Sequence, residues 1–226
     1  ATESSSPSHG LTDATIGAIN TLSDEVYAFW NGSVSESPKL FKYNNTSDTW
    51  GTALTQSATD QVTDSVVFTD SGGTTYLVFA HYDSNGSGYT YSSNGSTWVT
   101  DAGDNGDNVA RAAKFLTVWD ERLWGITHAG QLWYATTIGT EVLDAVLPLP
   151  DGSVTALFVA RNALGIPIIY AATIRGLFAH NADNAMWEAT QMDFPTHPEN
   201  GKGTVRWRDS VYVPSGNGIY RYINGN

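Results

Sequence analysis

Two stretches of this chain read almost alike: NNTSDTW at 44–50 and SSNGSTW at 92–98. Each is a polar turn that closes on a tryptophan. Seven residues before Trp50 and Trp98 stand Tyr43 and Tyr91, and seven before Trp187 stands His180. In ATTIGTEV the two places are held more weakly, by Ala135 and Val142. The recurring unit is an aromatic strand, a polar turn, and a strand opening with a large apolar residue. Self-similarity of this kind constrains the fold more than composition does.

A second series runs upstream of the first. Apolar strands stop at Asp or Asn and restart at once, in NTLSDEVYAF, VVFTDSGGTTYLVF, LTVWDERLWGI, LFVARNALGIPIIYAA and VRWRDSVYV. The punctuating residues are Asp24, Asp70, Asp120, Asn162 and Asp209, spaced 42 to 50 residues apart. Asp and Asn suit such places because their side chains bond their own backbone in tight turns. A third series, KLFKY, GYTY, QLWYA, GLFAH and GIYRY, supplies short alternating strands. No stretch has a sustained helical period with caps.

Four short antiparallel strands returning every 40–50 residues are the mark of a β-propeller blade. The expected fold is all-β: a propeller of about five four-stranded antiparallel blades, with a polar leader at 1–13. The blades fall near 14–58, 59–104, 105–149, 150–194 and 195–226. The most continuously apolar strands, such as VTALFVA and SVVFT, are expected nearest the axis. Trp50, Trp98 and Trp187 are expected to wedge between blades, each burying on the order of 200 Å². Tyr222 matches Tyr43 and Tyr91, but the seventh residue after it lies beyond Asn226, so the last blade is expected to lack its outer strand. That strand is expected from residues 1–13, from further blades of a longer chain, or from a neighbouring copy in a homo-oligomer.

The repeats resemble the broad group of kelch-like and Asp-box propellers. YSSNGSTW is similar to a degenerate Asp-box, with Gly95, Thr97 and Trp98 in their places, Ser93 where the Asp stands and Tyr91 where the first Ser stands. That box is structural in its family, so the resemblance implies a fold and no activity. LPLPDG, IIYAAT, GLFAH and GKGTVRWRD resemble uncharacterised propellers of environmental and phage-like origin.

Composition narrows the partners. Only 15% of residues are charged and the net charge is −12. An acidic surface repels phosphate backbones and anionic membranes, so neither nucleic-acid binding nor membrane insertion is expected. The absence of cysteine excludes disulfides, thiolate metal sites and a cysteine nucleophile. The opening ATESSSPS has no Met and no apolar signal segment, as expected of a processed or excised chain.

No HExxH, GxSxG or P-loop pattern is present. Arg206 and Arg208 alternate on an expected inner strand, and Arg111 and Arg161 lie in or near others, so an anion is one expected ligand of the channel. His81 and His128 follow second strands of successive blades and are expected on one rim. Asp13, Asp60, Asp107, Asp151 and Glu199 sit in the loops entering the inner strands. A ring of such carboxylates at one mouth suits a hard cation such as Ca²⁺, and no other cofactor is expected.

The expected function is a non-catalytic binding or assembly module, recognising glycan or protein at a cell or virion surface, because propellers present many loops on a rigid disc. Two alternatives stay open: a glycoside hydrolase or lyase working at the channel mouth, and a structural protein assembling through its unfinished blade. Converging carboxylates beside aromatic rings would favour the enzyme. A mouth lined with Ser, Thr and Asn would favour binding.

Overall fold

A computed structural model describes residues 11, 14–33, 36–55, 61–82, 87–102, 113–150, 153–192, 194–208, 210–216 and 218–222. These form five antiparallel sheets in a five-blade propeller arrangement, with no helix among them. Blade 1 runs β1 (Thr15–Leu22), β2 (Glu25–Asn31), β3 (Lys39–Asn44), β4 (Thr49–Thr55). Blade 2 runs β5 (Gln61–Thr69), β6 (Thr75–Tyr82), β7 (Ser87–Ser92), β8 (Val99–Ala102). Blade 3 runs β9 (Phe115–Trp119), β10 (Arg122–Ile126), β11 (Leu132–Ala135), β12 (Val142–Leu143). Blade 4 runs β13 (Val154–Arg161), β14 (Pro167–Thr173), β15 (Leu177–Asn181), β16 (Met186–Ala189). Blade 5 has three strands among the described residues: β17 (Val205–Trp207), β18 (Ser210–Ser215) and β19 (Gly218–Tyr222).

The inner hairpins use two kinds of turn, both set by the punctuating residue. Ser23–Asp24 and Asp120–Glu121 are two-residue loops in which both residues have positive φ, between 51° and 64°. Such loops carry the twist that matches a right-handed strand pair, and Asp tolerates the left-handed region. The other kind is longer. Asp70 Oδ1 accepts the N–H groups of Gly72 and Thr74, at 3.0 and 2.9 Å. Asn162 Oδ1 does the same for Leu164 and Ile166, at 3.0 and 2.9 Å.

Burial is organised by seam rather than by sheet. Tyr27, Phe29 and Leu40 of blade 1 pack on Val62, Leu77 and Phe79 of blade 2. Phe68 and Tyr89 meet Leu123 and Trp133 across the next seam. Trp124 and Ile126 meet Leu157 and Trp187 across the third. Tyr170 and Leu177 meet Val213 and Tyr222 across the fourth. A middle strand therefore buries both faces: Ile169 and Ala171 of β14 turn to blade 3, Tyr170 and Ala172 to blade 5. This is why the period-2 polar alternation is missing from those strands.

The tryptophan wedge holds at two of three places. Trp187 is buried between blades 3 and 4, and Trp98 packs on Tyr27 of blade 1 and Phe79 of its own blade. Trp50 instead stays half-exposed, its ring 5.3 Å from Tyr43 of its own blade. The turns are also not identical. Tyr43 pairs with Trp50 and His180 with Trp187, but Tyr91 pairs with Val99 and Tyr134 with Val142. One extra residue in blade 2, with Gly95 at φ +68°, pushes Trp98 ahead of β8 and into the seam.

Candidate ligand-binding clefts

Because Tyr43–Trp50 and His180–Trp187 share one register, Asn44 corresponds to Asn181 and Gly51 to Glu188. A cleft opens at this same place on blades 1 and 4. Its local frame is the polar turn: Asn44 Oδ1 accepts the N–H groups of Thr46 and Ser47, and Asn181 Oδ1 accepts that of Asn184. The amide oxygen thus holds the turn, while the rest of the side chain borders the cleft.

On blade 1 the cleft encloses about 850 Å³ between the Asp24 turn, Lys42–Thr46 and Ser96 of blade 2. Lys42 Nζ lies 2.6 Å from Glu25 Oε1, and the Tyr27 hydroxyl donates to Glu25 Oε2 at 2.9 Å. The Lys42 hydrogen bond, then that from Tyr27, holds the Glu25 carboxyl below its ordinary value. Burial, with the bond to Glu25, raises the Tyr27 hydroxyl well above the ordinary phenol range. Tyr43 donates to Asp48 Oδ1 at 2.6 Å, which fixes its ring on the floor of the cleft.

On blade 4 the cleft encloses about 610 Å³. Trp119 of blade 3 and Tyr222 of blade 5 join its walls, and Leu164 and Ile166 form an apolar lip. Asn181 Nδ2 donates to Glu188 Oε1 at 2.7 Å, and Asp183 and Gln191 stand on the rim. Both clefts set aromatic surface beside planar amides and carboxylates. Aromatic rings offer apolar faces there, and the amides and carboxylates offer hydrogen-bond partners for a polar ligand. A third cleft, of about 840 Å³, lies between the Asp70 and Asp120 turns, where Arg122 stacks over Tyr134 at 4.8 Å.

The residues singled out from sequence are scattered. Arg161 is exposed at the end of β13, and its Nη1 donates to Gly165 O at 2.5 Å, capping a hairpin. Arg206 is exposed on β17, and Arg208 lies in the following turn with its guanidinium 4.4 Å over Trp207. His81 is buried in β6, whereas His128 is exposed and stacks at 5.5 Å on Tyr82, the residue that follows His81. Glu199 borders a cavity lined by the first residues of several inner strands, with its carboxylate 2.8 Å from Lys202 Nζ. Arg111, Asp13, Asp60, Asp107 and Asp151 lie outside the described residues. Among the described residues, no three His, Asp or Glu side chains converge as metal ligands would.

Sequence reasoning passed over Asp64, Lys114 and Lys202, which line the channel together with Thr63 and Thr155. Thr15, Asn31 and Gln61 complete its polar mouth. Asp64 Oδ1 accepts Ser65 N–H at 2.8 Å, and Oδ2 accepts Leu116 N–H from the next blade at 3.0 Å. Burial nevertheless raises its carboxyl to about 7.

No protein-family model matches the chain, and no curated protein matches it in sequence. Solved structures do match in fold. The SapL1 lectin, in complex with alpha methyl fucoside, aligns with a TM-score of 0.52 at 13% identity, covering 92% of this chain and 79% of that one. An extracellular domain assigned to the hybrid two-component system BT4673 of B. thetaiotaomicron aligns with a TM-score of 0.56 at 14% identity, covering 93% of this chain and 26% of that one.

Proposed function

We propose that this protein is a non-catalytic glycan-binding module that works outside the cell and seats sugars in the clefts of blades 1 and 4. The observation that carries the reading is the recurrence of one cleft at repeat-equivalent positions, each with aromatic surface beside amide and carboxylate groups. Repetition of a weak site on a rigid disc raises avidity toward a polyvalent surface without any new contact. The fold neighbour that carries a fucoside supports the reading by analogy of fold alone.

Binding is favoured over hydrolysis by the channel mouth. Its described polar lining is mostly uncharged, with Thr15, Asn31, Gln61, Thr63 and Thr155; Lys114 stands beside them and the Glu199 carboxylate is tied to Lys202. Both oxygens of Asp64 already accept backbone N–H groups.

The test is calorimetric titration with a panel of neutral monosaccharides that includes α-methyl fucoside, beside a turnover assay on chromogenic glycosides. Saturable binding without turnover is expected, weakened in Trp119→Ala and in Glu188→Gln. Absence of binding across the panel, or release of chromophore, would overturn the proposal.

A further inference from the structure

The central channel holds a second kind of site, unlike the clefts in charge. Two cavities of about 280 and 450 Å³ share Gly17, Thr63, Phe115, Thr155 and Lys202, and so form one continuous space along the axis. Lys114 and Lys202 both border it. In a chain of net charge −12, two ammonium groups at one mouth run against the overall field.

Lys202 has a counterion, Glu199. Lys114 has no carboxylate partner among the described residues: its ammonium lies over the rings of Tyr82 and Phe115, at 5.1 and 5.7 Å. Burial, then the charge of Lys202, holds Lys114 below its ordinary value. Within reach of the same space, the Thr155 hydroxyl is buried, its residue 5% exposed, and has no hydrogen-bond partner. A buried hydroxyl left without a partner is costly unless something fills the role. An under-neutralised ammonium pair therefore borders one small polar cavity, with an unpaired buried hydroxyl in its wall.

We infer that the central channel binds a small oxyanion, a carboxylate or phosphate group, held between Lys114 and Lys202 with the Thr155 hydroxyl as a further donor. The anion relieves the repulsion between the two ammonium groups and completes the hydrogen bonding of Thr155. Its affinity depends on pH through the groups that face it, Lys114, Lys202, Glu199 and Asp64. Asp64 is neutral below about 7 and repels an anion once ionised, so binding weakens as pH rises through that value.

The test is isothermal titration at pH 6 and fixed ionic strength in chloride, with inorganic phosphate and with glucuronate as separate probes. One equivalent of either is expected to bind saturably. Binding of phosphate alone identifies a phosphoryl ligand, and binding of glucuronate identifies the carboxylate of a sugar acid. Lys114→Gln is expected to weaken binding at least about tenfold, the loss of one charge-assisted hydrogen bond. Lys202→Gln, an exposed turn variant, is expected to weaken it less, and Thr155→Val a few-fold. Trp119→Ala should leave the anion affinity unchanged, which separates this site from the clefts. Failure of both probes to bind, or affinity unchanged in both lysine variants, would overturn the inference.

Discussion

Tyr27 and Trp98 meet edge to face across the seam between blades 1 and 2, with ring centroids 5.8 Å apart. The contact depends on Gly95, whose left-handed backbone carries the turn over the Tyr27 hydroxyl; a Cβ there would strike that oxygen. Trp98→Ala removes the ring from both Tyr27 and Phe79 and is expected to cost about 3 kcal/mol, near the lower end for a buried tryptophan because Trp98 is only half-buried. Gly95→Ala is expected to destabilise too, through strain at φ +68° and the clash. Urea unfolding followed by tryptophan fluorescence measures both.

The longer hairpins predict a contrast between two variants of one residue. Asp70 is buried and its Oδ1 accepts two N–H groups, as Asn162 Oδ1 does in blade 4. Asp70→Asn keeps the accepting oxygen and is expected to be nearly neutral. Asp70→Ala strands both donors and is expected to cost about 1–2 kcal/mol, read as a lower Tm by calorimetry.

What the sequence makes legible here is whatever the repeat enforces. Asp24, Asp70, Asp120 and Asn162 recur because each blade turns sharply between its first two strands, and the aromatic pair before the outer strand recurs because each seam needs filling. Trp50 breaks its pattern because a seam residue depends on the neighbouring blade as well as its own; the buried clusters of the described residues span the four seams from blade 1 to blade 5. His81 reads as a rim residue only if β6 ends early. It runs on through Tyr82 as a strand buried on both faces. Lys114, Lys202 and Asp64 carry no period at all. Each occurs once, in a different repeat, and only the arrangement of the blades around the axis brings them to one cavity, so no spacing announces them.

Asp64 gives a pH signature in stability. Its carboxyl is raised by burial to about 7 in the folded protein, from an ordinary 3.8. Between those values the folded state keeps the proton and the unfolded state releases it, so stability falls as pH rises through the window and levels off above 7. Glu25, and Asp144 beside His180, are held below their ordinary values of 4.5 and 3.8, so their contributions are essentially complete by about pH 5. Thermal unfolding from pH 5 to pH 8 is therefore expected to show a declining Tm in the wild type. Asp64→Asn removes the titrating group and is expected to flatten that slope, whatever its effect on Tm at a single pH. A wild-type Tm that rises steadily over the same range would contradict the assignment.

Two buried tyrosines, Tyr170 and Tyr222, meet beneath the blade 4 cleft. The Tyr222 hydroxyl donates to the Tyr170 hydroxyl at 3.0 Å across the seam between blades 4 and 5, and both side chains are buried. Their rings meet edge to face at 5.3 Å. Burial, then the bond from Tyr222, raises Tyr170 far above the ordinary phenol range, so neither hydroxyl ionises at neutral pH. Each single change to Phe leaves the other hydroxyl buried without its partner and is expected to cost about 1–2 kcal/mol. The double change removes both hydroxyls, leaves no orphan, and is expected to cost less than the two singles added together, with a coupling of about 1 kcal/mol. Because Tyr170 and Tyr222 also line the cleft, the same three variants report on binding. If the ring faces carry the sugar contact, all three keep their affinity while stability moves. A loss of affinity in both single variants would instead assign the hydroxyl pair to the ligand.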